Sequence, residues 1–261
     1  FERNTVAERI LVVGGSSGIG KEVVELLVRR GADVTVADIN PGPEGVAHVH
    51  VDLADPDSID EALDALEGEW DGVAHIAGIP GTAPAEKVIA VNFLGMRRFV
   101  TGIAGRIKRG GGLVIVASTA GAAWSLRLAQ NEGLLAAPGL AEGLAWYAEN
   151  AEEGYPAYSV SKEATVAFAK QFSGYAWREY GVRVNTLSPG PVQTPILADF
   201  EVAIGRHHRR RDDVDAEAHR VLPKVGQLVG VRHVERHRRG EEFHRVVRLH
   251  EGCLVGNDRV G

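Results

Sequence analysis

Sulfur is scarce in this chain: 261 residues hold one cysteine, Cys253, and one methionine. A lone cysteine excludes an internal disulfide framework and Cys-rich zinc sites, and it suits a reducing, cytoplasmic location. No stretch approaches the roughly 18 apolar residues of a membrane span, so no membrane partner is expected. The first residues, Phe1 to Arg9, are polar and charged and do not read as a secretory signal. No repeat of about 20–50 residues recurs, and no linker divides the chain. Nor is there an extreme of composition. Apolar residues make up 44% and charged residues 25%, which excludes general disorder and a collagen-like chain.

What is present is an alternation of short apolar strands with amphipathic helices. Strands are expected at Ile10–Val13, Asp33–Ala37, Val49–Leu53, Gly72–Ile76, Leu113–Ala117 and Val182–Leu187. Helices are expected at Lys21–Arg30, Asp57–Leu66, Val88–Ile107 and Tyr158–Tyr180, with Gly31 as a C-cap and Asp55 or Asp57 as an N-cap. This order predicts one α/β domain over residues 1–200. Its frame is a doubly wound parallel sheet with helices on both faces, joined by right-handed crossovers.

The first strand-to-helix turn carries Gly14, Gly15, Ser16, Ser17, Gly18, Ile19 and Gly20. Glycines let the backbone approach a pyrophosphate, and the helix N-terminus offers free N–H groups and a positive dipole end. Asp38 closes the second strand, eighteen residues past Gly20. Its carboxylate can accept from ribose hydroxyls and repels a 2′-phosphate. At ~4 Å and an effective dielectric of ~20, each unit of like charge costs roughly 4 kcal/mol, so NAD is expected over NADP. Asp52, beside Leu53, either contacts the adenine or caps the next segment.

Tyr158 and Lys162 stand at i and i+4 on one helical face. An ammonium near a phenol favours the phenolate, and such a tyrosine can exchange a proton with an alcohol or carbonyl. Ser118 ends the fifth strand, on the side where open α/β sheets bind ligands, and can bond a substrate oxygen. Asn92 places an amide within an apolar helix, where it either holds a relay water near Lys162 or satisfies a backbone kink. The loop Pro189, Gly190, Pro191, Val192, Gln193, Thr194, Pro195 can set Thr194 and backbone groups against a nicotinamide carboxamide.

Taken together, residues 8–200 resemble the short-chain dehydrogenase/reductase family. The resemblance implies a Rossmann-type fold, a bound nicotinamide cofactor and a homodimer or homotetramer. It makes Tyr158 the general acid/base, Ser118 the substrate-oxygen donor, Lys162 the pKa depressor and ribose binder, and Asn92 the water holder. It adds Ala77 and Gly78 to the cofactor contacts and requires no metal. Two departures remove supporting bonds but no reacting group: Val13 stands where threonine is usual, and His75-Ile76-Ala77-Gly78 replaces the usual Asn-Ala-Gly run.

A third departure is the gap of 40 residues between Ser118 and Tyr158, where most members have about a dozen by resemblance. The extra segment, 122–154, resembles the bacterial branch acting on coniferyl-type alcohols and 3α-hydroxysteroids. Its apolar residues, among them Trp124, Leu134, Leu140, Trp146 and Tyr147, either pack within or between subunits or form a lid. Both readings favour a bulky apolar or aromatic alcohol or carbonyl as the small-molecule substrate. A different class of function also fits: a catalytically silent NAD-binding protein acting in interaction or redox sensing.

Residues 201–261 break the pattern. They hold 13 Lys/Arg, 10 Asp/Glu and seven of the ten histidines, a net of +3 against −9 for the rest. Acidic residues among the arginines argue against a nucleic-acid-binding tail, and no spacing matches a His-metal site. A shifted reading frame in a GC-rich gene accounts best for this composition. An intact mass equal to that of the 261-residue chain would exclude it.

Overall fold

Ile10 to Val13 shows how the sequence sets the frame. Leu11 and Val13 enter one buried cluster and Val12 the other, as the two-residue period of a strand covered on both faces requires. The computed structural model describes residues 7–192; the expectations for Thr194 and for 201–261 lie outside them. The strands are β1 (Arg9–Val13), β2 (Asp33–Asp38), β3 (Ala47–His50), β4 (Trp70–His75), β5 (Ile107–Val116) and β6 (Arg183–Leu187). All five pairings are parallel, in the order β3-β2-β1-β4-β5-β6. The order reverses between β1 and β4. That switch point leaves a crevice at the strands' C-terminal ends.

The helices are α1 (Gly18–Arg29), α2 (Pro56–Ala65), α3 (Ala85–Ile89), α4 (Met96–Ile103), α5 (Glu132–Ala136), α6 (Leu140–Asn150) and α7 (Ala157–Tyr180). On one face Val12, Val24, Val34 and Val36 form a small core under α1. On the other a large core joins Trp70, Phe93, Phe99, Ile115 and Phe168. Ala85–Arg106 is long and apolar enough to cross a membrane, but 67% of its apolar window is buried against the rest of the protein. It is a core-covering segment of the fold.

Helices α5 and α6 lie in the inserted segment, where no helix is expected, and three expected elements have other bounds or an interruption. The third strand stops at His50, because the Asp52 carboxylate accepts from the Ala54 N–H at 2.8 Å and turns the chain. The expected helix over 88–107 is interrupted by a π-helical turn, Ala90–Gly95. There Asn92 bonds outside the helix, and Gly95 lies so close to the Leu53 carbonyl that a Cβ would sit 1.9 Å from it. The fifth strand begins early, at Ile107. It runs through Gly110 at φ 86° to a register shift opposite Trp70 and Gly72.

Candidate active site

The glycine turn between β1 and α1 is shaped by what no side chain could share. Gly14 has φ 86°, and a Cβ there would lie 2.4 Å from the Ala77 nitrogen. A Cβ on Gly20 would lie 1.8 Å from the Gly14 carbonyl oxygen. Gly18, at φ 51°, opens α1. Ser17 holds the N-cap position but makes no capping bond, and the first turn carries no acidic residue. The leading N–H groups of α1 therefore face outward beside Ser16, Ser17 and half-buried Ile19. An anion such as a pyrophosphate fits this cradle.

Asp38 lies at the rim of the same turn. One carboxylate oxygen accepts from the Ser16 N–H at 3.1 Å and the other from the Asn40 N–H at 3.0 Å. Ser16 in turn donates its hydroxyl to the Asn40 carbonyl at 2.7 Å. Negative charge is thus fixed beside the glycine turn. Asp52 is committed to its own turn, and the Leu53 side chain is buried in the large core.

Ala77 anchors the adjoining loop by donating its N–H to the Val13 carbonyl at 2.9 Å. Gly78 makes room for two polar groups: a Cβ there would meet Asn92 Oδ1 at 3.2 Å and Lys162 Nζ at 3.5 Å. Asn92 is buried and brackets Ile79, accepting its N–H at 2.7 Å and donating to its carbonyl at 3.0 Å. The side chain thus bonds the backbone of the loop at Ile79. The Asn92 main-chain carbonyl accepts from the Thr165 hydroxyl on α7 at 3.3 Å.

Ser118 follows β5, and its oxygen accepts from the Ala120 N–H at 3.2 Å. Its side chain also interacts with the Tyr158 phenol. Burial pushes the Tyr158 pKa up, and the Ser118 interaction opposes that shift. Lys162 is fully enclosed. Desolvation brings it down to about 8, and it donates to the Val116 carbonyl at 3.2 Å. Its Nζ is 5.6 Å from the centre of the Tyr158 ring, so the i,i+4 pair does share one face. The Pro189 carbonyl accepts from the Thr119 N–H at 3.1 Å, which ties the loop holding Gly190 and exposed Val192 to the segment after Ser118.

The structure therefore brings Ser118, Tyr158, Lys162 and Asn92 together beside the glycine turn, with Ala77 and Gly78 between them. It also reveals residues that sequence reasoning did not reach. His75 is buried with its Nε2 unpartnered, and burial with the nearby Lys162 charge lowers it to about 3. Glu163 is buried among partners 8 to 36 residues away. Only the rarity of a buried ionised group signals it, and burial is not written in sequence spacing.

The comparisons follow this geometry. The short chain dehydrogenase model matches residues 8–129, and the enoyl-(acyl carrier protein) reductase model matches residues 142–213. Coniferyl-alcohol dehydrogenase of Pseudomonas sp. strain HR199 is 37% identical over 215 residues, covering 82% of each chain. The chain belongs to the short-chain dehydrogenase family. As a member it is an NAD(P)-dependent oxidoreductase acting on CH–OH groups. The 3-alpha-hydroxysteroid dehydrogenase/carbonyl reductase of Comamonas testosteroni is 31% identical over 195 residues, 72% of this short-chain dehydrogenase and 74% of the relative. Among solved structures, the 3-alpha-hydroxysteroid dehydrogenase of Pseudomonas sp. B-0831 complexed with NADH superposes with a TM-score of 0.64 at 29% identity. That match covers 74% of this chain and 76% of the other.

Proposed function

We propose that this short-chain dehydrogenase uses NAD to interconvert an aromatic or allylic alcohol and its carbonyl compound, with Tyr158 as the acid/base. The observation that carries the reading is the Lys162 ammonium 5.6 Å from the centre of the Tyr158 ring on one face of α7, with the Ser118 side chain interacting with the phenol. A nicotinamide bound here would supply the hydride transfer between the alcohol carbon and the cofactor, in either direction. Tyr158 as phenolate takes the alcohol proton in oxidation, and as phenol gives it back in reduction. Ser118 bonds the substrate oxygen and orients it toward Tyr158. Protonated Lys162 favours the phenolate electrostatically and bonds the ribose. Asn92, buried beside Gly78 and Lys162, holds the relay water.

The cofactor would be held by Gly14, Ser16, Ser17, Gly18, Ile19 and Gly20 at its pyrophosphate, and by Ala77 and Gly78 near its nicotinamide. Pro189, Gly190 and Val192 would bind its carboxamide side, with Thr194, outside the described residues, following in the chain. Asp38 supports NAD over NADP, since its charge beside Ser16 opposes a 2′-phosphate. The relative bound to NADH supports the same preference. An aromatic alcohol is favoured by the coniferyl-alcohol relative, and a hydroxysteroid or cyclic ketone by the steroid relatives. Exposed Tyr175, Trp177 and Leu187 support self-association as a dimer or tetramer.

Absorbance at 340 nm tests the reading, with NAD and NADP in parallel over coniferyl alcohol, a 3α-hydroxysteroid and a simple cyclic alcohol. We expect NAD to be reduced with coniferyl alcohol and NADP to react at least ~10-fold more slowly, given the like-charge cost at Asp38. Turnover of the steroid alone would transfer the substrate assignment to the steroid branch. Equal rates with NADP would remove Asp38 as selector.

A further inference from the structure

Glu163 follows Lys162 on α7 and is fully buried. An enclosed carboxylate is costly unless its oxygens are bonded and its charge is met. One Glu163 oxygen accepts from the Tyr155 hydroxyl at 2.5 Å. The other accepts from Arg127 Nε at 3.2 Å and Asn131 Nδ2 at 3.0 Å. Arg127 is shared. Its terminal nitrogens fork onto Glu152 at 2.8 and 3.2 Å, and its guanidinium lies 3.7 Å over the Tyr155 ring.

These partners have a pattern in the chain. Arg127 and Asn131 come nine and thirteen residues after Ser118, and Glu152 and Tyr155 come six and three residues before Tyr158. They are the two stems of the inserted segment, one leaving Ser118 and the other arriving at Tyr158. A single carboxylate on the reactive helix therefore gathers both stems. Apolar side chains of similar volume would fill the space with less electrostatic penalty. What they lack is direction: forked, charge-assisted bonds fix angle as well as distance. The apolar part of the segment is packed separately, with Leu134 and Tyr147 in the large core and Gly143 against Leu94. Filling the core does not require the buried charge.

We propose that Glu163 is a positioning residue, clamping both stems of the 122–154 segment to α7 and so holding the Ser118 and Tyr158 hydroxyls in bonding register. It touches neither substrate nor cofactor and acts only through that pair. The proposal rests on the reading of Tyr158 given above, and its test is chosen so that the two can fail separately.

The full chain is labelled with 3-fluorotyrosine and followed by fluorine NMR. It has five tyrosines, and the Tyr158 signal is assigned by its loss in Tyr158→Phe. Glu163→Gln keeps the volume and removes the charge; Arg127→Lys keeps the charge and removes the fork. In either variant the Tyr158 titration is expected to move up by about one pH unit as the Ser118 interaction loosens. NADH affinity, read by fluorescence, is expected to stay within about twofold of wild type. With an alcohol that turns over, kcat is expected to fall at least ~10-fold and KM to change less, as misaligned reacting groups predict. Should Glu163→Gln not fold, Arg127→Lys decides alone. An unshifted Tyr158 titration in a folded variant overturns the proposal and leaves the clamp as a fold element. The titration needs no substrate, so it stands even if Tyr158→Phe proves fully active and the acid/base reading fails.

Discussion

His75 and Lys162 show what enclosure does to a single residue in this fold. Both are buried, and both have pKa values below their ordinary ones because burial disfavours the charged form. For Lys162 the result is a cation that is retained at neutral pH and lost near pH 8, beside a phenol that burial pushes the other way. For His75 the consequence is a pH-dependent stability. Its folded pKa, about 3, lies below its unfolded value of 6.5. The unfolded chain therefore binds the extra proton between those values. The stabilisation is complete above about pH 6.5 and is lost as pH falls toward 3. One pKa unit is about 1.4 kcal/mol, so lowering the pH to 5 costs the native state roughly 2 kcal/mol through this group alone. Thermal melts at pH 7.5 and pH 5 check it: wild type should lose more stability than His75→Leu across that interval. Parallel losses would assign the acid sensitivity elsewhere.

At the scale of elements, the turns where regular structure breaks position the site. The π-helical turn Ala90–Gly95 aims Asn92 at Ile79, and this fixes the loop running from Ala77 to Pro80 beside Lys162. Asn92→Ala removes partners from both the N–H and the carbonyl of Ile79, and should cost about 1–3 kcal/mol in a urea melt. A loss below about 0.5 kcal/mol would show that the loop is held by other contacts. Sequence pattern announced the six strands and the helices between them, but not α5 and α6 of the inserted segment. The strand periodicity at β1, the Asp55 cap of α2 and Gly31 at φ 82° just past α1 all follow from local chemistry. It did not announce the π turn, which depends on a bond from Asn92 to a loop thirteen residues away. Nor did it announce the early start of β5, where Gly110 and Gly111 weaken any strand signal.

For the molecule as a whole, the alternation of strands and helices was enough to specify the sheet, and the order of motifs along it was enough to specify the crevice. Gly14 to Gly20, Asp38, Ser118, Tyr158 and Lys162 were legible because each sits at a strand end or on a helix face that periodicity locates. The polar clamp at Glu163 was not, because its partners come from an inserted segment whose spacing carries only a packing signal. The same distinction separates the two halves of the functional reading. Cofactor chemistry is written in short motifs around the β1 and β4 switch point. Substrate choice has no such motif in the chain. Central to the account is that the Ser118–Tyr158–Lys162 arrangement performs proton exchange during hydride transfer. The direct test compares wild type and Tyr158→Phe for NADH production at 340 nm with saturating coniferyl alcohol, after NADH titration shows equal cofactor binding. Loss of the general acid/base predicts a fall in kcat of about 10²–10⁴-fold with NADH affinity retained. Equal turnover by the two proteins would contradict it.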